Sequence, residues 1–241
     1  MSALALAITP FAVMLGAGFL LLRAKRETHR LRDRLERSSI DLQNLQLAFS
    51  RFAPDEVIER LIAGGIEEAT EKKEVTVLFA DLAGFTALSE SIEPPVLVGI
   101  LKGYFERMSR AISDHRGYVS TFISDGILAF FGALVPNPWQ GDDALRAALE
   151  MRRALVRYNE ELAAKGLPQL SMGIGMQRGQ GVMGLIGSRE LKEFAFVGRA
   201  VNVASRVQDL TRQHEADIIL TSELASTVDP CFSFIHCPQH G

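Results

Sequence analysis

Cysteine is scarce in this chain. Cys231 and Cys237 are the only two in 241 residues, so no disulfide framework holds it together. Neither sign of charge is in excess. Twenty-six basic residues meet 29 acidic ones, for a net charge of −3, which excludes nucleic-acid binding by bulk positive charge. No internal repeat or low-complexity tract interrupts the sequence. Charged residues are 23% and hydrophobic residues 47%, so wholesale disorder is excluded and a packed core is expected. The mean hydropathy of +0.12 is slightly high for a soluble protein. The excess is unevenly spread: from Ala3 to Leu22 there is no charged residue at all.

That run is about as long as a helix needs to cross the hydrocarbon core of a bilayer. Behind it stand Arg23, Lys25, Arg26, Arg30, Arg32, Arg34 and Arg37, opposed only by Glu27, Asp33 and Glu36. A basic flank at the C-terminal end places that end in the cytoplasm, so residues 1–22 are expected to be a single membrane span. No basic stretch precedes the run, which fits a cleaved signal poorly. Leu31, Leu35, Ser38, Leu42, Leu45, Phe49 and Phe52 then alternate steps of four and three. This heptad seam predicts a short parallel coiled coil within residues 23–53. Pro54 ends it, and residues 54–73 form a joint that closes with glycine and charge.

The rest, residues 74–241, has the composition of a globular domain. Glu74–Leu82 reads as a buried strand, and Pro94-Pro95 open a helix to about His115. Tyr118–Ile123 and Ile127–Phe131 form a hairpin around Ser124-Asp125-Gly126. A helix over Asp142–Lys165, strands over Leu170–Met176 and Phe194–Val197, a helix over Ala200–Thr211 and a strand over Asp217–Thr221 follow. The order β-α-β-β-α-β-β-α-β predicts an α+β fold, a ferredoxin-like antiparallel sheet with helices packed on it.

Asp81 closes the first strand and Asp125 occupies the hairpin tip. If the two strands are neighbours, the carboxylates converge on a rigid frame, the arrangement a hard divalent ion needs. Taken alone, Asp81 is equally an N-cap and Asp125 an Asp-Gly turn residue. Gly84, Phe85 and Thr86 follow Asp81 where backbone amides at a helix start can approach phosphate oxygens. Asn202 and Arg206, four apart, share a helix face. Asn can hold a sugar oxygen and Arg can neutralise a transferring phosphoryl group, although spacing alone also fits two surface residues.

Together, FADLAGFT, STFISDGILAFFG and EFAFVGRAVNVASR, in that order and spacing, resemble the catalytic domain of class III nucleotidyl cyclases (adenylate and guanylate cyclases). The likeness covers residues 74 to about 235, and RFAPDEVIERLIAGG resembles the transducing joint that precedes many such domains. It implies a homodimer with active sites at the subunit interface. Asp81, the Leu82 carbonyl and Asp125 would hold two Mg²⁺ or Mn²⁺ ions, while Asn202 and Arg206 of the opposite subunit would orient the ribose and stabilise the transition state. The implied reaction is conversion of ATP to 3′,5′-cyclic AMP and pyrophosphate.

Three departures stand out. Thr121 and Ala195 occupy the positions that read the adenine edge in this family, where Lys and Asp or Thr are usual. Losing a buried polar pair relaxes base selectivity. The chain also ends at Pro238-Gln239-His240-Gly241, ahead of a lysine that contacts the triphosphate in the family, so either a fragment or a missing contact is expected. A cyclase with another or relaxed nucleotide preference, and a catalytically silent dimerisation or regulatory domain, remain the alternatives to an adenylate cyclase. The tail residues Cys231, His236, Cys237 and His240 match no common zinc spacing.

Overall fold

A computed structural model describes residues 71–188 and 192–237, together with residues 32, 35–37 and 40. The chain divides into two units, Met1–Gly65 and Ile66–Gly241. In the first, the described residues are helical and exposed. The expected span over residues 1–22, most of the expected coiled coil and the joint up to residue 70 lie outside the described residues. Among the described residues, no helix is long and apolar enough to cross a membrane.

The second unit runs β1 (Glu71–Leu82), α1 (Phe85–Ser91), α2 (Pro94–Asp114), β2 (Gly117–Ile123), β3 (Gly126–Phe131), α3 (Gln140–Ala164), β4 (Met172–Gly187), β5 (Lys192–Val197), α4 (Arg199–Gln213), β6 (Ile218–Leu220) and α5 (Ser222–Ala225). The sheet order is β2-β3-β1-β4-β5, with β6 beside β4. All pairs are antiparallel except β4 with β6, which run parallel. A parallel neighbour requires a crossover, and α4 lies on it. The α+β expectation therefore holds, with one parallel pair added to the antiparallel sheet.

Two further differences concern strands. β1 begins at Glu71 rather than Glu74, so the end of the expected joint is paired strand. β4 extends to Gly187 rather than stopping at Met176; Gly181 still pairs with β1, and Gly184 and Gly187 lie on the outer stretch that pairs with β5.

Strand alternation splits the core between two faces. Leu78, Ala80 and Leu82 of β1 and Met172, Ile174 and Met176 of β4 join Tyr104, Met108 and Ile112 of α2 and Met151 and Leu155 of α3 in one buried cluster. The alternate residues look the other way, onto α4. There the helix backbone touches the strand backbone. A Cβ on Gly175 would stand 2.2 Å from the Gln208 amide nitrogen and 2.3 Å from the Ala204 carbonyl oxygen. Only glycine admits that approach. Asp81 belongs to this α4 face, opposite Gly173 in the β1–β4 register.

Candidate active site

β1 is flanked by β3 and β4, so its end is held from both sides. Asp81 and Leu82 are its last two residues, and the Leu82 side chain is buried among apolar groups. On the neighbouring hairpin, Ser124 adopts a left-handed φ of 57° and turns the chain sharply before Asp125. Asp125 is only 9% exposed. The tip folds over the end of β1, where an added Cβ on Gly126 would lie 3.2 Å from Asp81 Oδ1 and 3.4 Å from the Ala80 carbonyl oxygen. The two carboxyl groups are close enough for Asp125 to act directly on Asp81. The expected convergence of Asp81 and Asp125 is thus present within one chain.

Burial, and next the charge of Asp125, push the Asp81 carboxyl up to about 6. Arg212 pulls in the opposite direction, while Asp209 adds a smaller upward push. The phenol of Tyr104, fully buried beneath the pair, is pushed well above its ordinary value by burial and by both aspartates. Its hydroxyl donates to Met172 Sδ at 3.3 Å.

Arg212, near the end of α4, lies 3.1 Å through Nη2 from Asp81 Oδ2 and 3.4 Å from the Leu82 carbonyl oxygen. A cation therefore sits on the very atoms that an ion at the end of β1 would use. The donors of the site are two carboxylates and a main-chain carbonyl. All are oxygen, and the carboxylates are close enough for Asp125 to oppose ionisation of Asp81. This is a set that fits a hard divalent cation.

Gly84 caps α1 with a left-handed φ of 72° and no side-chain cap. The amides of Phe85 and Thr86 therefore begin the helix, where backbone N–H groups have no intrahelical acceptor. Thr121 lies on β2 beyond a register shift after Val119, and its hydroxyl donates to the Phe122 carbonyl at 3.4 Å. Ala195 lies on β5, opposite Gly184. Thr121 and Ala195 thus stand on the two end strands of the path β2-β3-β1-β4-β5.

Asn202 and Arg206 are exposed on one face of α4, and neither side chain has a hydrogen-bond partner among the described residues. The structure does not bring them to the aspartates of their own chain. The charges acting on Asp81 are those of Asp125, Arg212 and Asp209, and Arg206 is not among them. Sequence reasoning missed Arg212 and Asp209. Arg212 sits six residues beyond Arg206, off the Asn202–Arg206 face, and only the fold reveals its contact 131 residues away. In the tail, Cys231 and Cys237 are exposed thiols, and no group of three or more His, Cys, Asp or Glu side chains placed to hold a metal occurs among the described residues.

The sequence profile of the adenylate and guanylate cyclase catalytic domain matches residues 67–235, and the chain belongs to that family. An adenylate cyclase of Anabaena cylindrica is 35% identical over 200 residues, covering 80% of this chain and 38% of that protein. Adenylate cyclase 1 of Rhizobium meliloti is 28% identical over 180 residues, covering 74% of this chain and 27% of that protein. The chain thus spans well under half the length of these relatives. Among solved structures, a bacterial light-regulated adenylyl cyclase matches with a TM-score of 0.76 at 26% identity, over 87% of this chain and 61% of that one. The guanylyl cyclase Cya2 matches with a TM-score of 0.62 at 32% identity, over 66% and 80%.

Proposed function

We propose that the chain is an adenylate cyclase. It would convert ATP to 3′,5′-cyclic AMP and pyrophosphate as a homodimer. The observation that carries this reading is the Asp81–Asp125 carboxylate pair, held at the end of a rigid sheet with a cation already drawn onto it. Asp81, the Leu82 carbonyl and Asp125 would hold two divalent ions, Mg²⁺ or Mn²⁺. Such ions supply activation of the ribose 3′-hydroxyl and neutralisation of the triphosphate.

In the reaction the 3′-oxygen loses its proton and bonds to the α-phosphorus. The bond from that phosphorus to the bridging oxygen breaks, and pyrophosphate leaves. Asn202 of the partner protomer would hydrogen-bond the ribose, and Arg206 of the partner would face the charge that builds on the α-phosphoryl group. The amides of Gly84, Phe85 and Thr86 would approach triphosphate oxygens. Positioning and charge neutralisation are most of what phosphoryl transfer asks of a protein.

The dimer reading is supported by apolar surface beside the aspartates. Phe122 and Ile123 are about half exposed on the hairpin, and Val98 is 64% exposed on α2. Together with Leu101 and Phe105, Val98 and Phe122 line an open cleft of about 740 Å³. Exposed apolar surface of this kind marks contact with another molecule. Residues 3–22 and their basic flank support a single-pass membrane anchor with the catalytic domain on the cytoplasmic side. The heptad seam between them would bring two copies together.

A second reading, relaxed base selectivity extending to GTP or pyrimidine nucleotides, is favoured by Thr121 and Ala195. The Thr121 hydroxyl is turned to its neighbour's carbonyl, and Ala195 carries no polar side-chain atom. One experiment tests both. The purified protein is incubated with Mn²⁺ and each of ATP, GTP, CTP and UTP, and cyclic products are read by mass spectrometry. Cyclic AMP as the main product is expected, and comparable yields from several nucleotides would establish the second reading. No cyclic product from any of the four would overturn the enzyme reading in favour of a silent dimerisation or regulatory domain.

A further inference from the structure

The helix backbone that carries Arg212 is firmly seated, although the Arg212 side chain is not. Its neighbour Thr211 is buried against β4, and a Cβ on Gly173 would stand 2.1 Å from Thr211 Oγ1. Gly173 is the register partner of Asp81, so the base of the Arg212 side chain is one strand away from that carboxylate. From there the guanidinium donates to Asp81 Oδ2 at 3.1 Å and to the Leu82 carbonyl at 3.4 Å. These are two of the three oxygen groups that a divalent ion would take.

The grip is not strong. The Arg212 side chain is 52% exposed, and half-exposed ion pairs contribute little. A guanidinium and a divalent cation repel one another at contact distance, and both need the same lone pairs. The long arginine side chain has open solvent into which to swing when a divalent ion arrives.

We propose that Arg212 is the resident cation of this site: it neutralises the end of β1 before a divalent ion binds, and its displacement sets the ion concentration at which the site fills. This rests on the metal-site reading above. A protein that must first leave a self-occupied state binds with an affinity reduced by the fraction of molecules that are open. Arg212 would thus act as a positioning residue of the ion site, since the ion displaces it rather than being bound by it.

The test is Mn²⁺ binding to the 241-residue chain without nucleotide, followed by electron paramagnetic resonance of the free ion. Arg212→Gln is expected to bind Mn²⁺ about threefold to tenfold more tightly than wild type. Arg212→Lys, which keeps a point charge but loses the forked reach, should fall between the two. In wild type, the Arg212 Nε–H resonance should move to a solvent-exposed position as Mg²⁺ is added, over the same concentrations that fill the site. Equal affinity in wild type and Arg212→Gln would overturn the proposal, and so would weaker binding in the variant, because Arg212 would then be supporting the ion. Asp81→Asn is the control. If wild type and Arg212→Gln bind no more Mn²⁺ than Asp81→Asn does, the metal-site reading itself fails, and the proposal with it.

Discussion

Asp81 and Asp125 stand in a crowded corner at the end of the sheet, whereas Asn202 and Arg206 stand on an open helix face. In the first region two carboxyl groups act on one another, a guanidinium is seated on Asp81 and a tyrosine is buried below. In the second, neither side chain has a partner among the described residues. Concentrated negative charge is prebuilt within one chain, while the groups suited to meet a sugar and a phosphoryl group are exposed and make no hydrogen bond to it. In the proposed function each chain carries two half-sites, and a second copy completes both.

The largest expected effect comes from the crowded half. Asp125→Ala should lower cyclic nucleotide production by about a thousandfold, as loss of a group that holds transition-state charge does. Size-exclusion chromatography should show the dimer unchanged, because the substitution leaves the apolar surface intact. Activity retained within about tenfold of wild type would remove Asp125 from the site.

Gly175→Ala tests the joint between the halves. Its Cβ would meet the α4 backbone at 2.2 and 2.3 Å, and backbone cannot swing aside as a side chain can. A loss of about 1–3 kcal/mol in denaturant unfolding is expected. Unchanged stability would mean that α4 is not seated as described.

The smallest effect is a pH dependence. The Asp81 carboxyl is raised in the folded state from its ordinary 3.8 to about 6, so the folded state holds this proton more tightly. Its contribution to stability is complete below 3.8 and is lost as the pH rises through about 6. Metal-free melting temperatures of wild type should therefore fall, relative to Asp81→Asn, between about pH 4 and pH 7, and Mn²⁺ should restore the loss at the upper end. Parallel curves for the two proteins would show that burial and Asp125 do not outweigh Arg212 at this carboxylate.

Much of this architecture is legible in the sequence. β-branched and aromatic residues mark β1, the Ser124-Asp125-Gly126 tip marks the hairpin, and Pro94-Pro95 mark the start of α2, where the helix does begin. The meeting of Asp81 and Asp125 followed from treating their strands as neighbours, which they are. The outer half of β4 was not readable, because glycine has low strand propensity. Its glycines make sense only in three dimensions: a Cβ on Gly181 would stand 2.2 Å from the Phe196 ring, just as Gly173 and Gly175 on the inner half admit α4. Arg212 was invisible for a related reason: its partner lies 131 residues away, and no local pattern distinguishes it from other basic residues of α4.

The most direct test of the two-half account is complementation. Asp81→Asn loses the carboxylate half and Arg206→Ala loses the helix half, so each homodimer should be inactive. A random equal mixture places one intact site in each heterodimer and should recover about a quarter of wild-type activity. No recovery, in a mixture where differently tagged subunits co-purify, would contradict the claim that the site is shared between two copies of this chain.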